Sequence, residues 1–248
     1  MTLHTIIRIS VLWLGTTLAV HVQAGIVLNT TRIIYPASHK EASLLVQNTG
    51  TGDILAQSWL EREDATEPAL DLPFAVTPAL ARMPGNAKQL IRVIYAGEGM
   101  PADRESVFWL NVQEIPQSAR ENQLQIAIRQ RIKLFYRPLG LAGDPLKAAQ
   151  GVQWQLRDGK LQVYNPTPYH VSMIRLGLRQ QDVELLGAEG RMLAPMQRVQ
   201  LPLTETARSG PVELRFISIN DFGAQEPYHA TLSGGQAIEA RQIESRPE

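Results

Sequence analysis

From position 26 onward the chain is divided into short segments in which apolar and polar residues alternate, separated by turn-forming residues. Period-two alternation over four to eight residues is the mark of a β-strand with one buried face. In the first half such segments fall at 26–28, 31–35, 42–48, 54–60, 90–96, 107–114 and 124–136. Asn48-Thr49-Gly50-Thr51-Gly52-Asp53 and Pro84-Gly85 supply turns between them. No stretch of convincing length in this half carries a helical period. Short strands joined by turns at this spacing predict a β-sandwich. In 107–112 both parities are apolar, which suits a central strand covered on both faces.

The cluster Arg137-Pro138-Leu139-Gly140-Leu141-Ala142-Gly143-Asp144-Pro145 interrupts the pattern and reads as a domain boundary. Strands resume at Val152. Arg157-Asp158-Gly159-Lys160 reads as a tight hairpin with Asp-Gly at the two loop positions. Asn165-Pro166-Thr167-Pro168 is a rigid turn between segments 161–164 and 169–175, and further strands are expected at 183–186, 197–203, 212–220 and 230–232. The expectation is therefore two all-β domains, 25–139 and 140–248. The stretch from 234 to 248 is polar and reads as frayed.

Residues 1–24 have the layout of a secretory signal peptide: Arg8, a mostly apolar run from 9 to 20, and Val22-Gln23-Ala24 ending on a small residue. The apolar run is short for a membrane span. Cleavage is expected after Ala24, with export and no stable membrane insertion. The chain has no cysteine, so in an oxidising compartment its fold must rest on core packing and hydrogen bonds. With 24 basic and 24 acidic residues, the charge balance gives no reason to expect a nucleic-acid partner.

Chemistry-bearing patterns are sparse. Outside the leader the histidines are His39, His170 and His229, at no metal-ligand spacing and with no thiol to join them, so no metal and no cofactor is expected. There is neither a Gly-x-Ser-x-Gly elbow nor a phosphate-cradling glycine loop. The carboxylate pair Glu61 and Glu63 reads as part of a solvated turn. An enzyme is not expected.

Segment 124–138, LQIAIRQRIKLFYRP, is the most distinctive. Leu124, Ile126 and Ile128 share one parity, while Arg129, Arg131, Lys133 and Arg137 share the other. Two readings stand on periodicity alone. One is a core strand with a solvated outer face. The other is an edge strand offering an apolar row and its backbone to another protein, since an open edge is a template for pairing.

Five motifs in order resemble the periplasmic pilus chaperones of the chaperone–usher pathway. They are Thr31-Arg32-Ile33-Ile34-Tyr35-Pro36; Pro101-Ala102-Asp103-Arg104-Glu105-Ser106 with Phe108-Trp109-Leu110-Asn111 and Glu114-Ile115-Pro116; Ile132-Lys133-Leu134-Phe135-Tyr136-Arg137-Pro138; Asn165-Pro166-Thr167-Pro168-Tyr169; and Ile219-Asn220-Asp221-Phe222-Gly223. The resemblance implies two immunoglobulin-like β-sandwiches set at an angle around a cleft. It implies a periplasmic protein that folds, caps and escorts pilus (fimbrial) subunits and delivers them to an outer-membrane usher by donor-strand complementation. Leu124, Ile126 and Ile128 would fill the subunit's open groove. Arg32 and Lys133 would hold the subunit's terminal carboxylate, and Glu105, Arg137 and Asp221 would form an ionic network linking the domains. The short connection 117–123, with no cysteine, resembles the short-loop branch of that family. A secreted β-sandwich binding carbohydrate or another adhesion ligand is the alternative. One tension remains: Lys133 lies on the parity opposite the apolar row, which requires a bulge, a twist, or use of both faces of one strand.

Overall fold

A computed structural model describes residues 25–63, 71–117, 125–233 and 235–243. Eighteen strands and one 3-10 turn make up its regular structure, with no α-helix among the described residues. The first nine strands are β1 (Ile26–Leu28), β2 (Arg32–Pro36), β3 (Ala42–Asn48), β4 (Ile54–Arg62), β5 (Phe74–Thr77), β6 (Leu80–Met83), β7 (Lys88–Tyr95), β8 (Ser106–Pro116) and β9 (Arg129–Arg137). They form two sheets, β1-β3-β7-β5 and β2-β9-β8-β4-β6. Inward-facing Leu44, Val46, Ile91, Val93, Leu110 and Leu134 meet between them with almost no exposure. This is the alternation of the sequence turned into a sandwich core.

The remaining strands are β10 (Gln153–Arg157), β11 (Lys160–Tyr164), β12 (Val171–Gln180), β13 (Val183–Leu193), β14 (Arg198–Pro202), β15 (Val212–Ile219), β16 (Gln225–Leu232), β17 (Ile238–Glu239) and β18 (Arg241–Gln242). They form the sheets β14-β11-β10-β17 and β13-β12-β15-β16-β18 around Trp154, Phe216 and Tyr228. The rings of Phe216 and Tyr228 stack at 5.1 Å, with Trp154 at 5.1 Å from Phe216. Asp158 and Gly159 both take positive φ, 51° and 67°, as the two-residue turn between β10 and β11 requires. Both units are immunoglobulin-like sandwiches.

Three expectations need correction. The strands β5 and β6 lie where no segment was expected; each sits at the edge of its sheet and buries little, so its alternation is weak. The polar tail is not frayed throughout: β17 pairs with β10, and β18 with β16. The strand expected over 124–136 begins only at Arg129. Its ladder on β8 ends at Gln113↔Arg129; beyond it the Glu114 N–H donates to the Ile128 carbonyl at 2.9 Å and the Gln125 side chain donates to the Gln117 carbonyl. Leu124 lies outside the described residues.

The first edge of the larger sheet positions everything that follows. β1 belongs to one sheet and β2, four residues later, to the other. β2 runs parallel to β9, with Arg32 opposite Lys133 and Pro36 opposite Arg137. It therefore covers β9 only over 133–137. Over 129–132 the flank of β9 away from β8 carries no strand among the described residues; only the Gln130 side chain reaches across, to the Ile26 carbonyl at 2.8 Å.

Candidate functional site

β9 resolves the parity tension without a bulge. Its register on β8 is unbroken from Gln113↔Arg129 to Ser106↔Tyr136. Ile132, Leu134 and Tyr136 enter the core, while Lys133 and Arg137 look outward from the sheet toward the second sandwich. Ile126 and Ile128 continue the parity of the core row past the end of the ladder. They are exposed there, 67% for Ile126 and 36% for Ile128. The apolar pair thus lies on one parity just before the strand begins, and the cations on the other parity within it.

Arg32 and Lys133 are register partners on adjacent strands, and the structure brings them to the same cleft. The cleft has a volume of about 600 Å³ and is lined by Arg32, Lys133, Trp109, Met192, Ile219 and Gly223 among others. A guanidinium N–H of Arg32 donates to the Ile219 carbonyl at 2.8 Å, its Nε is buried without a partner, and the group lies 5.8 Å from the Phe135 ring. The Lys133 Nζ donates to the Met192 Sδ at 3.1 Å and lies 5.4 Å from the Trp109 ring. Among the described residues neither cation forms an ion pair. Burial pulls the Lys133 ammonium below its ordinary pKa, with Glu63 opposing and Arg32 reinforcing the shift. Burial also lowers Arg32, against the opposing fields of Asp221 and Glu105. Two partly desolvated positive charges thus stand side by side, with an orphan N–H donor beside them.

Beside this cleft, Arg137 bridges the sandwiches. It donates to Glu105 Oε1 at 2.7 Å and to Asp221 Oδ2 at 2.8 Å, and lies over the Tyr169 ring at 5.1 Å. Burial pulls its pKa down, but hydrogen bonds and charge from Asp221 and Glu105 outweigh that and leave it above its ordinary value. Glu105, almost wholly buried, also accepts from the His170 backbone N–H at 2.8 Å and faces the His170 Nδ1 at 2.8 Å. Its own N–H donates to the Pro168 carbonyl at 2.9 Å. His170 and Tyr169 were missed from sequence, because a lone histidine and an aromatic beside a proline turn carry no spacing signal.

Glu61 corrects a further expectation. It is not in a solvated turn; it is buried on β4. Its carboxylate accepts from the Trp59 Nε1–H at 2.8 Å, from Arg129 at 2.6 Å and from Arg131 at 3.0 Å. Burial pushes its pKa up, but these partners and Asn111 bring it below the ordinary value. Arg129 lies 4.9 Å over Trp59 and Arg131 4.7 Å over Trp109. This layer fixes the outer face of β9 just where its other flank is open. The signal was present in Trp59-x-Glu61, two positions of one parity, but reading the strand as ending at Leu60 hid it.

Two family models match along the chain. Pili and flagellar-assembly chaperone, PapD N-terminal domain, matches residues 25–142, and Pili assembly chaperone PapD, C-terminal domain, matches residues 147–230. The chain belongs to the pilus-assembly chaperone family. Chaperone protein FimB/FhaD of Bordetella pertussis is 37% identical over 231 residues, covering 87% of this chain and 91% of the relative. Probable fimbrial chaperone YadV of Escherichia coli K12 is 37% identical over 227 residues, covering 84% and 90%. The crystal structure of the YadV chaperone superposes with a TM-score of 0.73 at 35% identity, over 84% of this chain and all of that one. The SafB chaperone of Salmonella enterica, solved in complex with the SafA pilin, superposes with a TM-score of 0.68 at 29% identity, over 85% and 97%. The function is that of a pilus-assembly chaperone.

Proposed function

We propose that this chaperone captures fimbrial subunits along the open flank of β9 and holds each by its terminal carboxylate on Arg32 and Lys133. The observation that carries this reading is the placement of two register-paired, unneutralised cations at the inner end of that flank. A chain whose carboxylate sits there and whose backbone follows β9 outward from Ile132 runs parallel to β9, in the direction β2 already takes. The carboxylate sets the register, the β9 backbone supplies hydrogen bonds, and Leu124, Ile126 and Ile128 enter the subunit's apolar groove. Each buried side chain contributes roughly 1.5–3 kcal/mol. Glu105, Arg137 and Asp221 hold the angle of the cleft between domains 25–139 and 140–248.

The chain acts in the periplasm after removal of residues 1–24 and passes its subunits to an outer-membrane usher, without turnover of a covalent bond. No nucleic acid and no cofactor takes part. The relatives are chaperones, which leaves the carbohydrate-binding alternative unsupported.

Ile126→Asp tests the groove contact. Because Ile126 is exposed, the thermal melt should match wild type, while subunit recovered in pull-down falls roughly tenfold or more, the equivalent of one lost apolar anchor. A melt lowered by several degrees would instead make the segment a core strand.

A further inference from the structure

Glu114 stands on the core-facing parity of β8, in the row of Phe108, Leu110 and Val112. It is only 7% exposed, and its Oε2 is buried without a hydrogen-bond partner. Burial pushes its pKa up, with no charged neighbour contributing. A carboxylate in such a place normally has a cation or several N–H donors. What it does have is Gly25: a Cβ built on that residue would overlap the carboxylate group, so the carboxylate packs directly against the Gly25 backbone. The Gly25 carbonyl is fixed by the Thr49 N–H at 2.9 Å, and Ile26 pairs with Asn48, so the position is held by the sheet.

We infer that cleavage after Ala24 completes this site: the α-ammonium freed on Gly25 pairs with the Glu114 carboxylate. The inference rests on the cleavage position in the proposed function. In the uncut chain the Gly25 nitrogen is an amide with one N–H of fixed direction and no charge. After hydrolysis of the Ala24–Gly25 bond it is a rotatable ammonium with three donors, one bond from the Cα that the carboxylate touches. The pair also bears on the donor segment. The Glu114 backbone N–H holds the Ile128 carbonyl at 2.9 Å, and the Ile26 carbonyl accepts from the Gln130 side chain at 2.8 Å. The mature N-terminus is thereby tied to the root of the segment that carries Ile126 and Ile128.

The test is a double-mutant cycle on the exported protein: wild type, a variant with one serine inserted before Gly25, Glu114→Gln, and the two combined. Intact mass fixes each N-terminus. With Gly25 first, the insertion is expected to lower the melting temperature by roughly 4–10 °C when Glu114 is present and to leave it unchanged when the chain also carries Glu114→Gln. The α-amine, titrated by its acylation rate, should ionise above its ordinary range of about 7.7–8.0 in wild type and return to it in Glu114→Gln. Equal effects of the insertion with and without Glu114→Gln, or none in either case, would overturn the pair while leaving the cleavage intact. A mature N-terminus other than Gly25 would overturn the cleavage and the pair together.

Discussion

Arg137→Ala is expected to lower the unfolding free energy by about 3–5 kcal/mol and to loosen the angle between the two sandwiches. The effect is large because of what remains behind. Glu105 is 2% exposed at its side chain and would lose its guanidinium partner, keeping the His170 N–H and ring. Asp221, on the second sandwich, would lose its bond to the first. An uncompensated buried carboxylate is costlier than the intact pair is stabilising, so the loss exceeds the net value of the bridge. Asp221→Ala should do less, since Arg137 would keep Glu105 and Asp221 is the more exposed partner. Urea unfolding reads the stability and small-angle scattering the domain angle. An unchanged midpoint together with an unchanged scattering profile for Arg137→Ala would remove the network from the account.

Lys133→Met should reduce subunit capture by roughly tenfold or more, the equivalent of one charge-assisted bond to a partly buried carboxylate, and Arg32→Ala should do the same. The free chaperone should lose no stability from Lys133→Met. The ammonium is partly desolvated, and that cost outweighs the attraction of Glu63, so an apolar side chain of similar length removes the desolvation and keeps the packing on Trp109 and Met192. Linkage sharpens the contrast. A lysine whose folded pKa lies below its unfolded value binds fewer protons when folded, so stability rises with pH from that lowered value up to the ordinary one near 10.5. Lys133→Met should lose that alkaline rise. Wild-type capture by both variants would rule out the carboxylate site, and a marked loss of stability in Lys133→Met would show the cation to be structural.

Much of the fold was legible because alternation and turn residues are local signals. Residues 42–48 became β3 with the same bounds, and Asp158-Gly159 made the expected hairpin. What escaped depends on partners distant in sequence. β5 and β6 bury too little of either face to alternate clearly, and Pro73 and Pro78 break the reading further. Glu61 looked solvated because its partners, Arg129 and Arg131, come from a strand more than sixty residues away. The segment ending at Ile128 alternates like a strand, yet the described part of it has no ladder. Periodicity records that a residue row is suited to pairing and cannot say whether the pairing strand belongs to the same molecule. The role proposed for Arg32 and Lys133 comes from the family resemblance alone; their adjacency follows from a parallel pairing that spacing does not reveal.

The β9 flank and its two cations are proposed to hold a fimbrial subunit by its terminus. Co-expression of the neighbouring fimbrial subunit with wild-type chaperone, with Lys133→Met, and with no chaperone tests it most directly, through the yield of subunit co-purified from the periplasm. A stoichiometric complex is expected with wild type, and subunit lost to degradation or aggregation in the other two. Equal recovery of folded subunit in all three would contradict it.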